Sequence, residues 1–311
     1  MNAFAQNKAA DYPKSPVTLV VGFPAGGGAD AMARYVAQKL ADRWQVPVVV
    51  ENRAGAGGVL SASYVSRSAP DGSVILLGGT NLVQLSATMS QLPFDVIQAF
   101  TPVIQIARVG TLFIAPKTSP VNSLDEFVAL AKAEPGKHSF GSYGTGTSSQ
   151  MFGELLNRFA HIDLLHVPFK GAAQAINEGV LGKNVSIAVV DAGSGTPFVS
   201  AGQVKALAVT GTERLKSLPD VPSTSEFGIE TMNLYGWYGL FVPAVTPGQI
   251  SRKINEDMME IMKSQDYRQR IEMMGLMQPT LMTTDQFRLV FKQDKESWDR
   301  IIAETGVGAS K

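Results

Sequence analysis

Apolar residues along the chain follow two alternating rhythms. Residues 17–23 are almost continuously apolar, as in a strand buried on both faces. Gly26-Gly27-Gly28 interrupts the run, and over residues 30–44 the apolar positions Met32, Val36 and Leu40 recur at helical spacing. Residues 46–50 predict a second strand, Gly55 to Gly58 a turn, residues 59–68 a helix and residues 74–78 a third strand. Strand–helix alternation through loops this short predicts a parallel, helix-covered sheet with right-handed crossovers.

The rhythm then changes. Two β-like runs, 103–107 and 111–115, follow each other with little between them. Ser123-Leu124-Asp125-Glu126 is a capping box that opens a helix ending near Pro135-Gly136. A second β/α series follows, with strands over 138–142, 163–167, 185–190 and 204–209 and helices over 147–159 and 172–181. Past Pro222, residues 235–242 form an extended aromatic run. Thr246-Pro247-Gly248-Gln249 then opens a helix to about 264, with Thr246 as cap and Pro247 at the first helical position. Thr283 and Gln286 open another, to about 304. No tandem repeat and no Pro-, Ser- or charge-rich linker is present, so short crossing strands are expected to join the two series.

Composition narrows the function. With 311 residues, 45% of them apolar, two domains are expected. Lys plus Arg equals Asp plus Glu at 27 each, which leaves no basic field to attract nucleic acid. No apolar run is long enough to span a membrane. The absence of cysteine excludes disulfides, thiolate metal sites and thiol nucleophiles, and fits either cytosol or periplasm. Ala3-Phe4-Ala5 before Gln6 has the small-residue pattern of a signal-peptidase site, to be weighed against a chance match near a terminus.

Two segments carry candidate chemistry. Phe23-Pro24-Ala25-Gly26-Gly27-Gly28-Ala29-Asp30 joins a strand to a helix. Such a turn frees backbone N–H groups at the positive end of the helix dipole, an anion site without a charged side chain. Gly26-x-Gly28-x-x-Ala31 also satisfies the loose dinucleotide fingerprint, with Glu51 placed as a ribose-binding acid, so a nicotinamide-dependent oxidoreductase stays open. Against that, Pro24 and Ala25 separate the glycines from the strand. In the second series, Ser139 to Gln150 offers glycine amides and the hydroxyls of Ser142, Thr145, Thr147 and Ser148. It is neither a nucleophile elbow nor a P-loop. Two such loops, one in each series, argue for a ligand held by both.

Other polar positions are less specific. Lys170, in Val167-Pro168-Phe169-Lys170-Gly171, is either a carboxylate counter-ion or, more commonly for lysine, solvated. Asp191, ending an apolar run before Gly193-Ser194-Gly195, either accepts from a ligand or caps the next helix. His138, His161 and His166 lack zinc-site spacing and are read as structural or surface residues. No catalytic set is found and no cofactor or metal is expected.

Together these motifs resemble the solute-binding proteins of tripartite tricarboxylate transporters, the Bug family. The resemblance runs from about Tyr12 and is carried by five segments in order. They are Phe23 to Asp30, Val50-Glu51-Asn52-Arg53-Ala54-Gly55-Ala56-Gly57-Gly58, Gly141 to Ser148, Val167 to Gly171, and Trp237-Tyr238-Gly239-Leu240-Phe241-Val242-Pro243-Ala244-Val245-Thr246-Pro247. It implies an α/β type II periplasmic-binding fold of two lobes, each a helix-covered, mostly parallel sheet. Lobe one would hold 12–111 plus 236–311, and lobe two 112–235. It implies an exported, monomeric protein that closes by a hinge on a small carboxylate and passes it to a membrane permease; a sensor presenting its closed form to a receptor is the variant reading. The implied ligand residues are Phe23, Ala25, Gly26, Gly27, Thr80 and Asn81 in lobe one, and Ser142, Tyr143, Gly146, Thr147, Ser148 and Asp191 in lobe two. Tyr143 stands where the family usually has a small residue, Gln150 where histidine is frequent, and Ala172 where glycine usually follows Gly171. Stacking on Tyr143 adds aromatic carboxylates to the aliphatic di- and tricarboxylates as expected ligands.

Overall fold

The computed structural model describes residues 12–89 and 91–307; the Ala3-Phe4-Ala5 pattern lies outside them. In chain order the first elements are β1 Val17–Val21, α1 Gly28–Trp44, β2 Val48–Asn52, α2 Val59–Ser66, β3 Val74–Gly79 and α3 Asn81–Thr88. Then come β4 Phe100–Val109, β5 Thr111–Pro116, α4 Leu124–Ala133, β6 Ser139–Ser142, α5 Ser148–Ala160 and β7 Leu165–Pro168. A short α6, Ala172–Gln174, continues as the π-helical segment Ala175–Leu181. The chain closes with β8 Ile187–Asp191, α7 Ala192–Ser200, β9 Val204–Val209, β10 Gly236–Pro243, α8 Gly248–Lys263, α9 Gln265–Met273 and α10 Thr284–Thr305.

Two compact units emerge. Unit one holds the described residues up to Ala107, with Trp237–Gln269 and Gln278–Asp299; unit two holds Arg108–Gly236, Arg270–Met277 and the described residues from Arg300. The boundary after 107 lies four residues before the expected 111, and 270–277 and 300–307 group with unit two rather than with lobe one. The reason is local bonding. Arg108 and Met277 exchange backbone hydrogen bonds of 2.9 Å. A Cβ on Gly275 would fall 2.3 Å from Thr196 Oγ1, so this turn sits directly on α7.

Each unit is built on a five-stranded sheet, in the order β2-β1-β3-β10-β4 in unit one and β7-β6-β8-β5-β9 in unit two. β1 pairs parallel with β2 and β3, and β6 with β7 and β8, as the alternating pattern requires. β10 is antiparallel to β3, and β5 is antiparallel to both β8 and β9. The sheets are therefore mixed rather than mostly parallel. The crossing strands enter each sheet against the grain of its β/α units, and sequence rhythm does not encode direction.

The starts of α4 and α10 follow local chemistry. Glu126 N–H donates to Ser123 Oγ (3.2 Å), and the Glu126 carboxylate reaches back to Asn122 N–H (2.6 Å). Thr283 and Gln286 exchange the reciprocal bonds of a capping box. Thr246 departs from expectation: Pro247 occupies the cap of α8 and the Thr246 hydroxyl is buried without a hydrogen-bond partner.

Unit one's core centres on aromatic rings. Phe241, fully buried on β10, has Trp237, Phe100, Phe287 and Phe291 around it at centroid distances of 5.2–6.3 Å. At the edge of that cluster the Trp237 indole N–H donates to Asp294 Oδ2 (2.7 Å). Burial pushes the Asp294 carboxyl up to about 6, the indole bond only partly opposing it. Between the unfolded value and about 6 the folded chain holds the extra proton, so this group's contribution falls as pH rises through that window. Asp294→Asn keeps an acceptor for the indole and removes the buried charge. It is expected to stabilise unit one by about 1–2 kcal/mol at pH 7.5 and hardly at all near pH 4. Urea unfolding at the two pH values, followed by tryptophan fluorescence, checks this.

Candidate functional site

In unit one the candidate residues gather at the C-terminal ends of the adjacent parallel strands β1 and β3, where open α/β sheets bind ligands. After β1, Phe23 is half-buried and Pro24, Ala25 and Gly26 are exposed. Gly26 has φ +85° with nothing near its missing Cβ, so backbone conformation rather than space requires glycine there. No side chain caps α1, which leaves the amides of Gly28, Ala29 and Asp30 without helical partners.

The loop is held by a network that motif reading did not single out. Buried Asp30 accepts from Gly26 N–H (3.0 Å), Arg34 Nε (3.0 Å) and Asn52 Nδ2 (2.9 Å), and Asn52 also donates to the Phe23 carbonyl (3.1 Å). Burial alone would raise the Asp30 carboxyl, but the Arg34, Gly26 and Asn52 bonds hold it below the ordinary carboxylate range. The Gly26 amide is thus engaged within the loop rather than free. Asp30 and Asn52 position the loop; the signals available were an acid in the first turn of a helix and an amide ending the next strand. Asp30→Ala is expected to cost only about 1–2 kcal/mol of stability, since Arg34 is exposed and rehydrates. Its larger effect is on loop shape. By isothermal titration, affinity for whichever carboxylate binds should fall about ten-fold, near 1.4 kcal/mol.

Thr80 and Asn81 serve the framework more than was anticipated. Thr80 is buried, its Oγ1 accepts from Trp237 N–H (2.8 Å), and its own N–H donates to the Trp237 carbonyl (3.2 Å). Asn81 Nδ2 donates to the Gly57 carbonyl (2.7 Å), while its Oδ1 is buried without a partner. A Cβ on Gly58 would lie 2.6 Å from Asn81 Nδ2, so glycine there permits this packing. Phe23, Gly58 and Asn81 line one small cavity of unit one.

In unit two, Ser142, Tyr143, Gly146, Thr147 and Ser148 lie where β6 leads into α5, and Asp191 ends the neighbouring parallel strand β8. Much of the loop's polarity is used internally. The Gly144 amide donates to Ser142 Oγ (3.2 Å) and the Gly146 amide to Gln150 Oε1 (2.8 Å). Thr147 Oγ1 donates to the Gly144 carbonyl (2.6 Å), and Tyr143 OH lies 2.8 Å from Ser148 Oγ. Ser142, fully buried, sits 2.7 Å from Nε2 of His166, whose ring stacks on Phe140 at 4.9 Å. Burial lowers the His166 pKa, so the ring is neutral near pH 7 and positions the loop through Ser142. No side chain caps α5.

Asp191 Oδ1 accepts from Ser194 N–H (2.8 Å) and caps α7, so the capping role is present in the structure. Burial raises its pKa while the Ser194 bonds oppose the rise. Lys170 follows β7 and is exposed. Glu51 Oε1 lies 2.7 Å from Arg53 Nε, and the Arg53 guanidinium stacks on Tyr64 at 3.6 Å. The acid that a ribose would require is therefore ion-paired. Among the described residues, no group of three His, Asp or Glu side chains is placed to hold a metal ion, and no helix is long and apolar enough to cross a membrane.

Each unit thus presents a glycine-rich strand-to-helix loop, an uncapped helix start and neutral hydrogen-bonding groups. Comparison with known proteins finds similar chains elsewhere. A UPF0065 protein from the tcbD-tcbE intergenic region of Pseudomonas sp. (strain P51) is 30% identical over 96% of this chain and 89% of its own length. The periplasmic binding protein BugD matches with a TM-score of 0.87 and 30% identity over 95% of this chain and 99% of that one. Rpa4515 of R. palustris with adipate gives 0.90 and 26% over 96% and 99%. MatC of Rhodopseudomonas palustris with bound malate gives 0.85 and 28% over 94% and 100%. The fold is that of a periplasmic binding protein. Residues 32–307 match the model of the tripartite tricarboxylate transporter family receptor, and the chain belongs to that family.

Proposed function

We propose that the protein is an exported receptor that captures a small carboxylate and delivers it to a membrane permease, acting by binding and not by catalysis. One observation carries the reading: two glycine-rich loops, one per unit, each open an uncapped helix without using a basic side chain. Aligned peptide dipoles and hydroxyls favour an anion there without a fixed counter-ion. Arg34, the cation nearest the first loop in sequence, is committed to Asp30. Adipate and malate, bound by relatives of 26% and 28% identity, belong to this ligand class. Export is supported by the Ala3-Phe4-Ala5 pattern and by the periplasmic location of BugD. In this reading the monomer closes by a hinge so that loops of both units engage the ligand, and the closed form is what the permease recognises.

A thermal-shift screen tests it. The panel holds aliphatic di- and tricarboxylates, acidic amino acids, aromatic carboxylates and NAD(H). A ligand at about 100 times its dissociation constant adds about 2.7 kcal/mol, a rise of several degrees in a chain of this size. A shift with a carboxylate and none with NAD(H) is expected. A shift with NAD(H) alone would overturn the reading in favour of an oxidoreductase.

A further inference from the structure

Unit two places a hydrogen-bond donor and an acceptor at the ends of neighbouring parallel strands. In the pairing of β6 with β8, Phe140 stands opposite Ile187 and Gly141 opposite Ala188. The next residues of each strand lead to Tyr143 on one side and Asp191 on the other. Ser149 Oγ donates to the Val189 carbonyl, which fixes the start of α5 to β8. Tyr143 is within electrostatic reach of Asp191: burial raises the phenol's pKa and the Asp191 charge raises it further. The phenol therefore stays protonated through the neutral range.

The hydroxyls of Tyr143 and Ser148 share one hydrogen bond of 2.8 Å. Two O–H groups with one bond between them leave one proton free to give elsewhere. Asp191 is the opposite kind of group. Its carboxylate takes the amide and the side chain of Ser194 and its own backbone amide, no Lys or Arg contributes to its environment, and of the roughly four lone-pair sites of a carboxylate one is left to fill.

We propose that Asp191, with Tyr143 and Ser148, selects carboxylates that also carry a hydroxyl or ammonium donor. This rests on the carboxylate-receptor reading. The ligand carboxylate accepts a hydrogen bond from the free O–H of the Tyr143–Ser148 pair, and the ligand's own donor bonds Asp191. An acid of the same length without that donor leaves the last acceptor site of Asp191 desolvated and unfilled. A second carboxylate in its place meets like charge. Discrimination of at least about ten-fold is expected.

Isothermal titration of the full chain with matched acids tests this. The sets are succinate, malate and aspartate; tricarballylate and citrate; and 3-phenylpropionate, phenyllactate and phenylalanine. Within whichever set binds, the donor-bearing acid should bind at least about ten-fold tighter. Asp191→Asn keeps a good helix cap, so the fold should survive, as circular dichroism would show. The variant should shrink the preference below about three-fold and strengthen binding of the donor-free acid. Tyr143→Phe should weaken all acids of the set together and leave their ratio unchanged. Equal binding within a set, or an unchanged ratio in Asp191→Asn, would each overturn the inference and leave the receptor reading standing. Binding of none of these acids would overturn both.

Discussion

Phe241→Ala is expected to lower the stability of unit one by about 3–5 kcal/mol. The ring is fully buried, and its loss removes apolar transfer energy and opens a cavity. Collapse into that cavity is restricted because the neighbours are themselves packed rings. Trp237 lies 5.9 Å away, Phe287 5.7 Å and Phe291 5.2 Å, and the Phe287 ring is also wedged against β10, where a Cβ on Gly239 would fall 2.8 Å from it. The measurement is convenient, since all three tryptophans, Trp44, Trp237 and Trp298, belong to unit one. Urea unfolding followed by tryptophan fluorescence therefore reports this unit. A midpoint within error of the parent would mean that the aromatic cluster is not the core of unit one. Val245→Ala, at a side chain 79% exposed, is the control and should change little.

Gly153→Ala is expected to destabilise unit two by about 2–3 kcal/mol, although alanine is the better helix former by about 1 kcal/mol. Packing decides the sign. A Cβ at Gly153 in α5 would lie 2.1 Å from Phe140 Cε2, and Phe140 is fully buried and stacked on His166. The ring cannot yield without moving His166, and His166 holds Ser142 at the head of the second loop. Carboxylate affinity should therefore fall together with stability. Since unit two contains no tryptophan, far-ultraviolet circular dichroism is the appropriate probe of unfolding, with titration calorimetry for binding. A variant as stable as the parent that binds normally would show that Phe140 has room the structure does not show.

Periodicity alone predicts α1, α5, β1 and β3, and glycine spacing alone predicts the two loops that open those helices. Both are short-range properties. A buried strand must be apolar along its length, an amphipathic helix repeats every 3.6 residues, and a sharp turn into a helix favours glycine. The cap at Ser123 and the capping box at Thr283 were legible for the same reason, since donor and acceptor lie three residues apart. Family resemblance, carried by motifs in a fixed order, supplied the receptor reading.

Long-range partners were not legible. The Asp30–Asn52 bond spans 22 residues, Ser142–His166 spans 24, and Thr80–Trp237 spans 157. Each gives a residue expected at the ligand, or one given no role, a part in holding the framework. Helices α3 and α9 gave no distinct rhythm, and the helix expected over 172–181 is π-helical from Ala175. The antiparallel entry of β10 and the grouping of 270–277 with unit two depend on pairing between distant segments. The sequence by itself determined the α/β class, the family and the two loops, because those follow from local pattern and order. Only the tertiary structure decided which loop amides are already engaged, what holds Ser142 and Gly26 in place, and where the units divide, because a hydrogen bond between distant residues leaves no periodic trace in the chain.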